Sequence, residues 1–235
     1  MKSGTIDAII TARGGSKGLP RKNLLLLAGQ PLIAHSIRAA LGCSLVRRCW
    51  VTTEDPEIKA ESLRYGAEVI ERPLALATDA STSTEAVRHA LETLAARGML
   101  AEHFALLQPT SPLRTAAHLS ACLEAYLRSE AHCAISVCVT EHHPYKGFRG
   151  DSGWLEPLFD EALLHAPRQS LPVVYRQNGA IYAIPSRLFL ERHTFYVRPA
   201  MPFVMSQEDS ADIDTLEDLE LAECLLARRG PAAAG

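Results

Sequence analysis

The 235-residue chain carries no strong excess of charge of either sign. Its 24 lysines and arginines face 27 aspartates and glutamates, a formal net charge of -3. Bulk nucleic-acid binding relies on neutralising many phosphates along one surface, and this balance argues against it. No apolar run reaches 18 residues, and Asp7 interrupts the apolar stretch near the N-terminus. A membrane-spanning helix and a secretory leader are therefore not expected. Six cysteines (43, 49, 122, 133, 138 and 224) show no C-x-x-C spacing and mostly sit in apolar surroundings. Buried, reduced thiols in a cytoplasmic protein are expected, rather than disulfides or zinc. There is no internal repeat, and the only biased segment is the tail from Arg228 to Gly235, expected to fray. This length supports one good core with, at most, a small appended lobe.

Two familiar phosphate loops are also missing. Neither G-x-G-x-x-G nor G-x-x-x-x-G-K-[ST] occurs. What stands in their place is an apolar run, Ile6 to Ala12, that opens directly into Arg13-Gly14-Gly15-Ser16-Lys17-Gly18. The run reads as a buried parallel strand. Its glycines let the backbone turn sharply with amides facing inward. Arg13, Lys17, Arg21 and Lys22 add four cations within ten residues. A polyphosphate suits that combination; a solvated loop leaving a strand is the plainer alternative.

Downstream, Gly29-Gln30-Pro31 starts a helix with Pro31 at its first position, Leu32, Ile33, Ile37, Ala40 and Leu41 on one face, and Gly42 at its end. Strands are predicted at 49–52 and 68–70, with a helix between them after Pro56. A hydroxyl-rich loop, 72–83, precedes a helix carrying Ala86, Val87, Ala90, Leu91 and Leu94, which Thr82 and Glu85 start as a capping box. Capping leaves Arg72 and Asp79 without a role. A central strand, Phe104 to Leu107, runs into Gln108-Pro109-Thr110-Ser111-Pro112-Leu113-Arg114 and a further helix; another buried strand spans 133–140. The β-α alternation predicts an α/β fold, a Rossmann-like, mostly parallel sheet with helices on both faces. Ligands in such sheets bind beyond the carboxyl ends of the strands.

Residues 141–172 break the pattern and read as a hairpin-bearing excursion, so the expected division is a core of 1–140 and 173–235 with a small lobe at 141–172. His142 and His143 are adjacent, so in an extended chain they point to opposite sides and cannot readily share an ion. Lys146 is the better anion ligand there. Arg168 and Arg176 precede a strand at 180–184, and arginine grips carboxylates bidentately. Near the end, Asp212-Ile213-Asp214-Thr215 places two carboxylates two residues apart. In an extended segment they face one side while Ile213 turns inward, a hard oxygen site for Mg²⁺. Thr215 and Asp218 fit a cap for the last helix, where Leu216, Leu219, Ala222 and Leu226 are apolar. That cap gives Asp212 no role.

The segments ARGGSKGLPRKN, LLQPTSPLR, RQSLPVVYRQNGAIY and the closing aspartate pair resemble, in order, the motifs of the CMP-N-acylneuraminate synthetases, cytidylyltransferases that activate sialic acids. The resemblance implies a nucleotidyltransferase-type fold whose lobe dimerises across to a second subunit, hence a homodimer. It implies CTP as co-substrate, bound by Ala12, Arg13, Gly14, Ser16, Lys17, Lys22, Asn23, Arg72 and Ser83, with Mg²⁺ on Asp212 and Asp214. Gln108, Lys146, Arg168, Arg176 and Asn178 would bind a nine-carbon α-keto acid sugar, and Arg13, Lys17, Lys22 and both aspartates would carry the chemistry. The alternatives are another keto-acid sugar (legionaminate, pseudaminate or 3-deoxy-octulosonate) or a silent CTP-binding module.

Overall fold

Successive residues of a strand point to opposite faces, so an apolar run without polar alternates needs cover on both sides. Strand β1 (Ile6–Thr11) is such a run: Ile6, Ala8 and Ile10 enter one hydrophobic core and Ile9 the other. The structure, a computed structural model, describes residue 2 and residues 4–15, 18–151 and 153–229. Ser16, Lys17 and the end of the tail, 230–235, lie outside the described residues.

In chain order β1 is followed by the small ribbon β2 (Leu26–Leu27) and β3 (Gln30–Pro31), then α1 (Leu32–Leu41), β4 (Val46–Thr53), α2 (Pro56–Arg64), β5 (Glu68–Glu71), α3 (Ser83–Ala96), β6 (His103–Leu107), α4 (Ala116–Arg128) and β7 (Cys133–Val139). The 141–172 segment carries its own ribbon, β8 (Phe148–Arg149) and β9 (Glu156–Pro157), and the short α5 (Ala162–His165). Last come β10 (Tyr175–Pro185), α6 (Ser186–Arg192), β11 (Ala200–Val204) and α7 (Leu216–Arg229).

The seven-stranded sheet has the order β11-β7-β10-β6-β1-β4-β5. All pairs are parallel except those of β10, which runs antiparallel to both β6 and β7. Side chains of α1 and α4 fill the core on one face with Ala105 and Leu107 of β6. On the other face α3 and Phe189 of α6 cover Phe104 and Leu106. β1 sits between β4 and β6, where the strand order reverses, and a crevice opens at the carboxyl ends of such strands.

Local chemistry sets the helix starts. Asp55 caps α2, its Oδ1 accepting from the amides of Glu57 and Ile58 at 2.9 Å, with Pro56 in the first turn. Thr82 and Glu85 form the capping box of α3, and Ala86, Val87, Ala90, Leu91 and Leu94 are all buried. Pro31 caps α1 from just outside instead of occupying its first turn, and Leu41, expected on the apolar face, is exposed. Leu216 of α7 is likewise exposed, and Leu225 takes the buried place beside Ala222. Buried Asp7 in β1 is held by Arg47, through two bonds of 2.9 Å, and by Trp50 Nε1 at 2.9 Å. No helix among the described residues is long and apolar enough to cross a membrane.

Candidate active site

The end of β1 delivers Arg13 and the glycine turn to the crevice, and close packing explains Gly14 and Gly18, while Gly15 faces open space. A Cβ on Gly14 would meet Asp55 Oδ2 at 2.3 Å, and one on Gly18 would lie 2.9 Å from the Asp214 carbonyl. The turn is thus wedged between the cap of α2 and the segment that carries both aspartates. Asn23, buried, donates from Nδ2 to the Arg13 carbonyl at 3.0 Å and ties the two ends of the loop together.

Every described cation of this loop has a carboxylate partner. Arg13 donates to the Thr78 carbonyl and, at 3.0 Å, to Asp79. Arg21, in the left-handed region at φ 58°, is paired with Asp55 and Glu57, both at 2.7 Å. Lys22 Nζ lies 2.8 Å from Asp214 Oδ1. Asp79, left without a role by sequence reasoning, is the partner that holds the Arg13 guanidinium at the cleft mouth.

Arg72 is buried and spends its guanidinium on the framework. It donates to the Thr52 carbonyl at 2.5 Å and to the Ala12 carbonyl at 3.4 Å, joining the ends of β4 and β1. Burial pushes its pKa down, and the nearby Glu54 charge opposes that shift. Glu54 itself accepts from the Gly14 amide at 2.7 Å, while its Oε2 is buried with no partner among the described residues. Sequence reasoning places residues 53–55, where β4 ends, at the ligand edge of the sheet but gives Glu54 no role of its own.

Beside this framework opens a cleft of 380 Å³. Arg13, Lys22, Asn23, Arg72, Ser83 at the start of α3, Gln108 after β6, Asp212 and Asp214 all line it. Ile213 is fully buried between the two aspartates, as alternation requires, and its amide donates to the Thr110 carbonyl at 2.8 Å. The Asp212 carboxyl is held above its ordinary pKa, first by burial and further by the Asp214 charge. A hydrogen bond from the Thr110 side chain and the charges of Lys22 and Arg176 pull it back. Thr110, in the loop after β6, thus braces this carboxylate.

The donor set fits Mg²⁺. Two carboxylates on one rim, one of them raised by burial and by its neighbour's like charge, would both be relieved by a bound cation. No cluster of three or more histidine, cysteine or acidic side chains suited to a metal exists among the described residues. Phosphate oxygens and water would fill the remaining positions, as is usual for this ion.

A second cleft, of 310 Å³, shares Ser83 and Gln108 with the first and continues over Gln177, Tyr182, His193 and Phe195. Sequence reasoning missed this wall. Tyr182 stood inside a recognised motif, but the 193–196 turn after α6 carries no local signal. The remaining sugar candidates lie elsewhere. Arg176 starts β10, donates to the Ser210 carbonyl at 3.4 Å and acts on Asp212 through its charge. Asn178 is 1% exposed and sits in the core with its amide fully engaged. Lys146 donates to the carbonyls of Leu164 and Ala166, clasping the 141–172 segment, and neither it nor exposed Arg168 lines either cleft. His143 caps a 3-10 turn and lies 3.0 Å from the Pro172 carbonyl.

Residues 8–225 match a family model described as Cytidylyltransferase. The chain is 38% identical over 219 residues to an N-acylneuraminate cytidylyltransferase of Escherichia coli O18:K1:H7, covering 92% of this chain and 51% of that protein. It thus spans about half the length of that relative. It is 32% identical to a pseudaminic acid cytidylyltransferase of Campylobacter jejuni (92% of this chain, 94% of the relative) and 33% identical to a CMP-N,N'-diacetyllegionaminic acid synthase of Legionella pneumophila (94% and 96%). Among solved structures, a CMP:2-keto-3-deoxy-manno-octonic acid synthetase complexed with CTP superposes with a TM-score of 0.68 at 18% identity, over 96% of this chain and 99% of that one. A 4-diphosphocytidyl-2C-methyl-D-erythritol synthase gives 0.70 at 13%, over 95% and 100%. The fold is thus shared beyond sequence similarity, and the extent of the family match shows that this chain belongs to the cytidylyltransferase family.

Proposed function

We propose that the protein transfers a cytidylyl group from CTP to a nine-carbon α-keto acid sugar of the sialic acid type, giving the CMP-sugar and pyrophosphate. The observation that carries this reading is one cleft lined by Arg13, Lys22, Asp212 and Asp214 together. Cations suited to a triphosphate and carboxylates suited to a divalent ion share a single space. In the reaction the C2 hydroxyl oxygen of the sugar attacks the α-phosphorus in line. The bond from the α-phosphorus to the bridging oxygen breaks, pyrophosphate leaves with that electron pair, and the hydroxyl proton passes to a base or to solvent. Arg13, Lys22 and the glycine-turn amides bind the phosphates, with Ser16 and Lys17 in the same role. Asn23, Arg72 and Ser83 hold the nucleotide, and Ala12 anchors the loop. Asp212 and Asp214 would hold Mg²⁺, which when bound supplies charge neutralisation at the phosphates. Positioning and electrostatics carry most of the rate in such a transfer.

Gln108 and Arg176, near the junction of the clefts and Asp212, bind the acid sugar. The protein works as a cytoplasmic homodimer. Supporting the dimer, the 141–172 segment exposes Phe148, Trp154, Leu155 and Phe159, which is more apolar surface than a small ribbon ordinarily leaves uncovered. In that assembly Lys146 and Arg168 stand near the partner's site.

The test is pyrophosphate release with Mg²⁺ and CTP across a panel of nine-carbon keto-acid sugars and the eight-carbon 3-deoxy-octulosonate. Release with a nine-carbon sugar, lost when UTP or ATP replaces CTP, is expected. Silence with every sugar despite CTP binding would overturn the reading in favour of a non-catalytic module.

A further inference from the structure

Strand β10 is irregular where it passes the site. Gln177 is opposite Val137 and Tyr182 opposite Ile135, so β10 spends more residues than β7 between those pairs and bulges. Asn178 pins the bulge from within: Nδ2 donates to Ser210 Oγ at 2.8 Å, and Oδ1 accepts from Ser136 Oγ at 2.6 Å and from the Ala180 amide at 3.2 Å. Buried Arg114 donates to the Gln108 carbonyl at 3.3 Å and to the Ala180 carbonyl at 2.9 Å, tying the end of β6 to the far side of the bulge. Ser111 Oγ donates to the Asn178 carbonyl at 2.9 Å and closes the near side.

Gly179 lies between these clamps at φ 73°. A Cβ there would stand 2.2 Å from Gln108 Oε1, a distance that requires the amide to move, and a tight 3.0 Å from Ser111 Oγ. The Gln108 side chain therefore rests directly on the Gly179 backbone, and Gln108 is a wall of both clefts.

We infer that Gly179 is a positioning residue: by leaving out its side chain, the clamped bulge sets where the Gln108 amide is presented at the junction of the nucleotide and sugar clefts. The inference rests on the proposed role of Gln108 as a ligand of the acid sugar. It gives Asn178 and Arg114 a shared purpose, since both hold the backbone on either side of Gly179.

Two explanations for a glycine here can be separated. A left-handed backbone alone is tolerated by asparagine, whereas any Cβ at this position must push the Gln108 amide aside. Gly179→Asn, Gly179→Ala, Gln108→Ala and the Gly179→Ala/Gln108→Ala pair are therefore compared by pyrophosphate release, with thermal melting as the check on folding. Gln108→Ala and both Gly179 variants are expected to raise the acid sugar's KM about tenfold, the scale of one lost hydrogen bond in a buried site. The KM for CTP should stay within about twofold of wild type on the same reasoning, and the double variant should be no worse than Gln108→Ala alone. Wild-type sugar KM in Gly179→Asn, or single effects that multiply in the double variant, would overturn the positioning role and leave the proposed activity intact. An unchanged sugar KM in Gln108→Ala would instead remove Gln108 from the sugar site, and the inference with it. Gly179→Asn also serves where the alanine variant does not fold.

Discussion

Replacing Asp214 by asparagine should tighten the binding of CTP in the absence of metal, although Asp214 is one of the two proposed metal ligands. Its Oδ1 lies 2.8 Å from Lys22 Nζ, and the Lys22 side chain is only 15% exposed. The lysine is thus partly neutralised before any triphosphate arrives, and the nucleotide must compete with the aspartate for it. Asp214 is 72% exposed, so solvent screens the pair and its net worth is about 1 kcal/mol, the upper end for surface ion pairs. Releasing Lys22 is then worth about fivefold in affinity. Asp212→Asn is the matched control. It removes the same charge from the same cleft, but that carboxylate is bonded to Thr110 and not to Lys22. Its effect on metal-free binding should stay within about twofold, the size of a screened longer-range charge. Titration calorimetry with CTP in excess chelator reads both variants, and the chelator is then replaced by Mg²⁺. With metal present the order should reverse, because Asp214→Asn has lost a ligand and wild type has not. Equal metal-free affinities for the two variants, or weaker binding by Asp214→Asn than by wild type, would refute competition between the nucleotide and Asp214 for Lys22.

Three further outcomes follow from the packing. Asp7→Ala strands the Trp50 indole N–H beside an emptied buried position, while Arg47 keeps solvent and the Met99 carbonyl, and urea unfolding should show a loss of about 1–3 kcal/mol, the scale of a buried donor left unpaired. A loss below about 1 kcal/mol would place the network among surface pairs. Thr82→Ala removes the cap of α3 and should cost about 1 kcal/mol in the same assay. Because Ser83 follows at the wall of both clefts, the KM for CTP should rise as well; an unchanged KM would separate the helix start from the site. His35 and His118 are both held below the ordinary histidine pKa, chiefly by burial. The folded state then binds fewer protons than the unfolded one around pH 6.5. Stability should accordingly be full above that pH and decline as pH falls below it towards the lowered folded-state values. The His35→Gln/His118→Gln pair should flatten that decline, glutamine at 118 keeping the capping box with Thr115. A slope unchanged in the pair would assign the decline to other groups.

Local signals in the chain were readable because they rest on short-range chemistry. The apolar run of β1, the Thr82–Glu85 box and the inward turn of Ile213 are each dictated by residues within a few positions. Side-chain partners were harder to read. Lys146 looked like an anion ligand because sequence shows a cation near a motif and not the Leu164 and Ala166 carbonyls that accept its protons. Asn178 shares a motif with Arg176 but is turned inward by the bulge of β10. The loop cations looked available, whereas each described one is matched by a carboxylate, and Asp55, Asp79 and Asp214 are 34, 66 and 192 residues away from their partners. Such pairings are set by topology, which residue spacing does not encode.

The reversed strand explains how one sheet edge gathers parts from so many segments. A parallel strand presents only its carboxyl end to the crevice, as β1 and β6 do with Arg13 and Gln108. Because β10 runs the other way, its beginning lies at that edge, and Arg176, Gln177 and Gly179 arrive from a chain that is entering the sheet. The chain must therefore return to the ligand edge between β7, which ends there, and β10, which begins there. The 141–172 segment makes that connection without crossing the sheet, so it remains at the edge where the clefts open. Rebuilding β10 as a parallel strand would need a crossover to the opposite edge and would carry its opening residues away from Gln108. The antiparallel insertion is thus the feature of the fold that lets the 141–172 segment join β7 to β10 while staying at the edge where the clefts open.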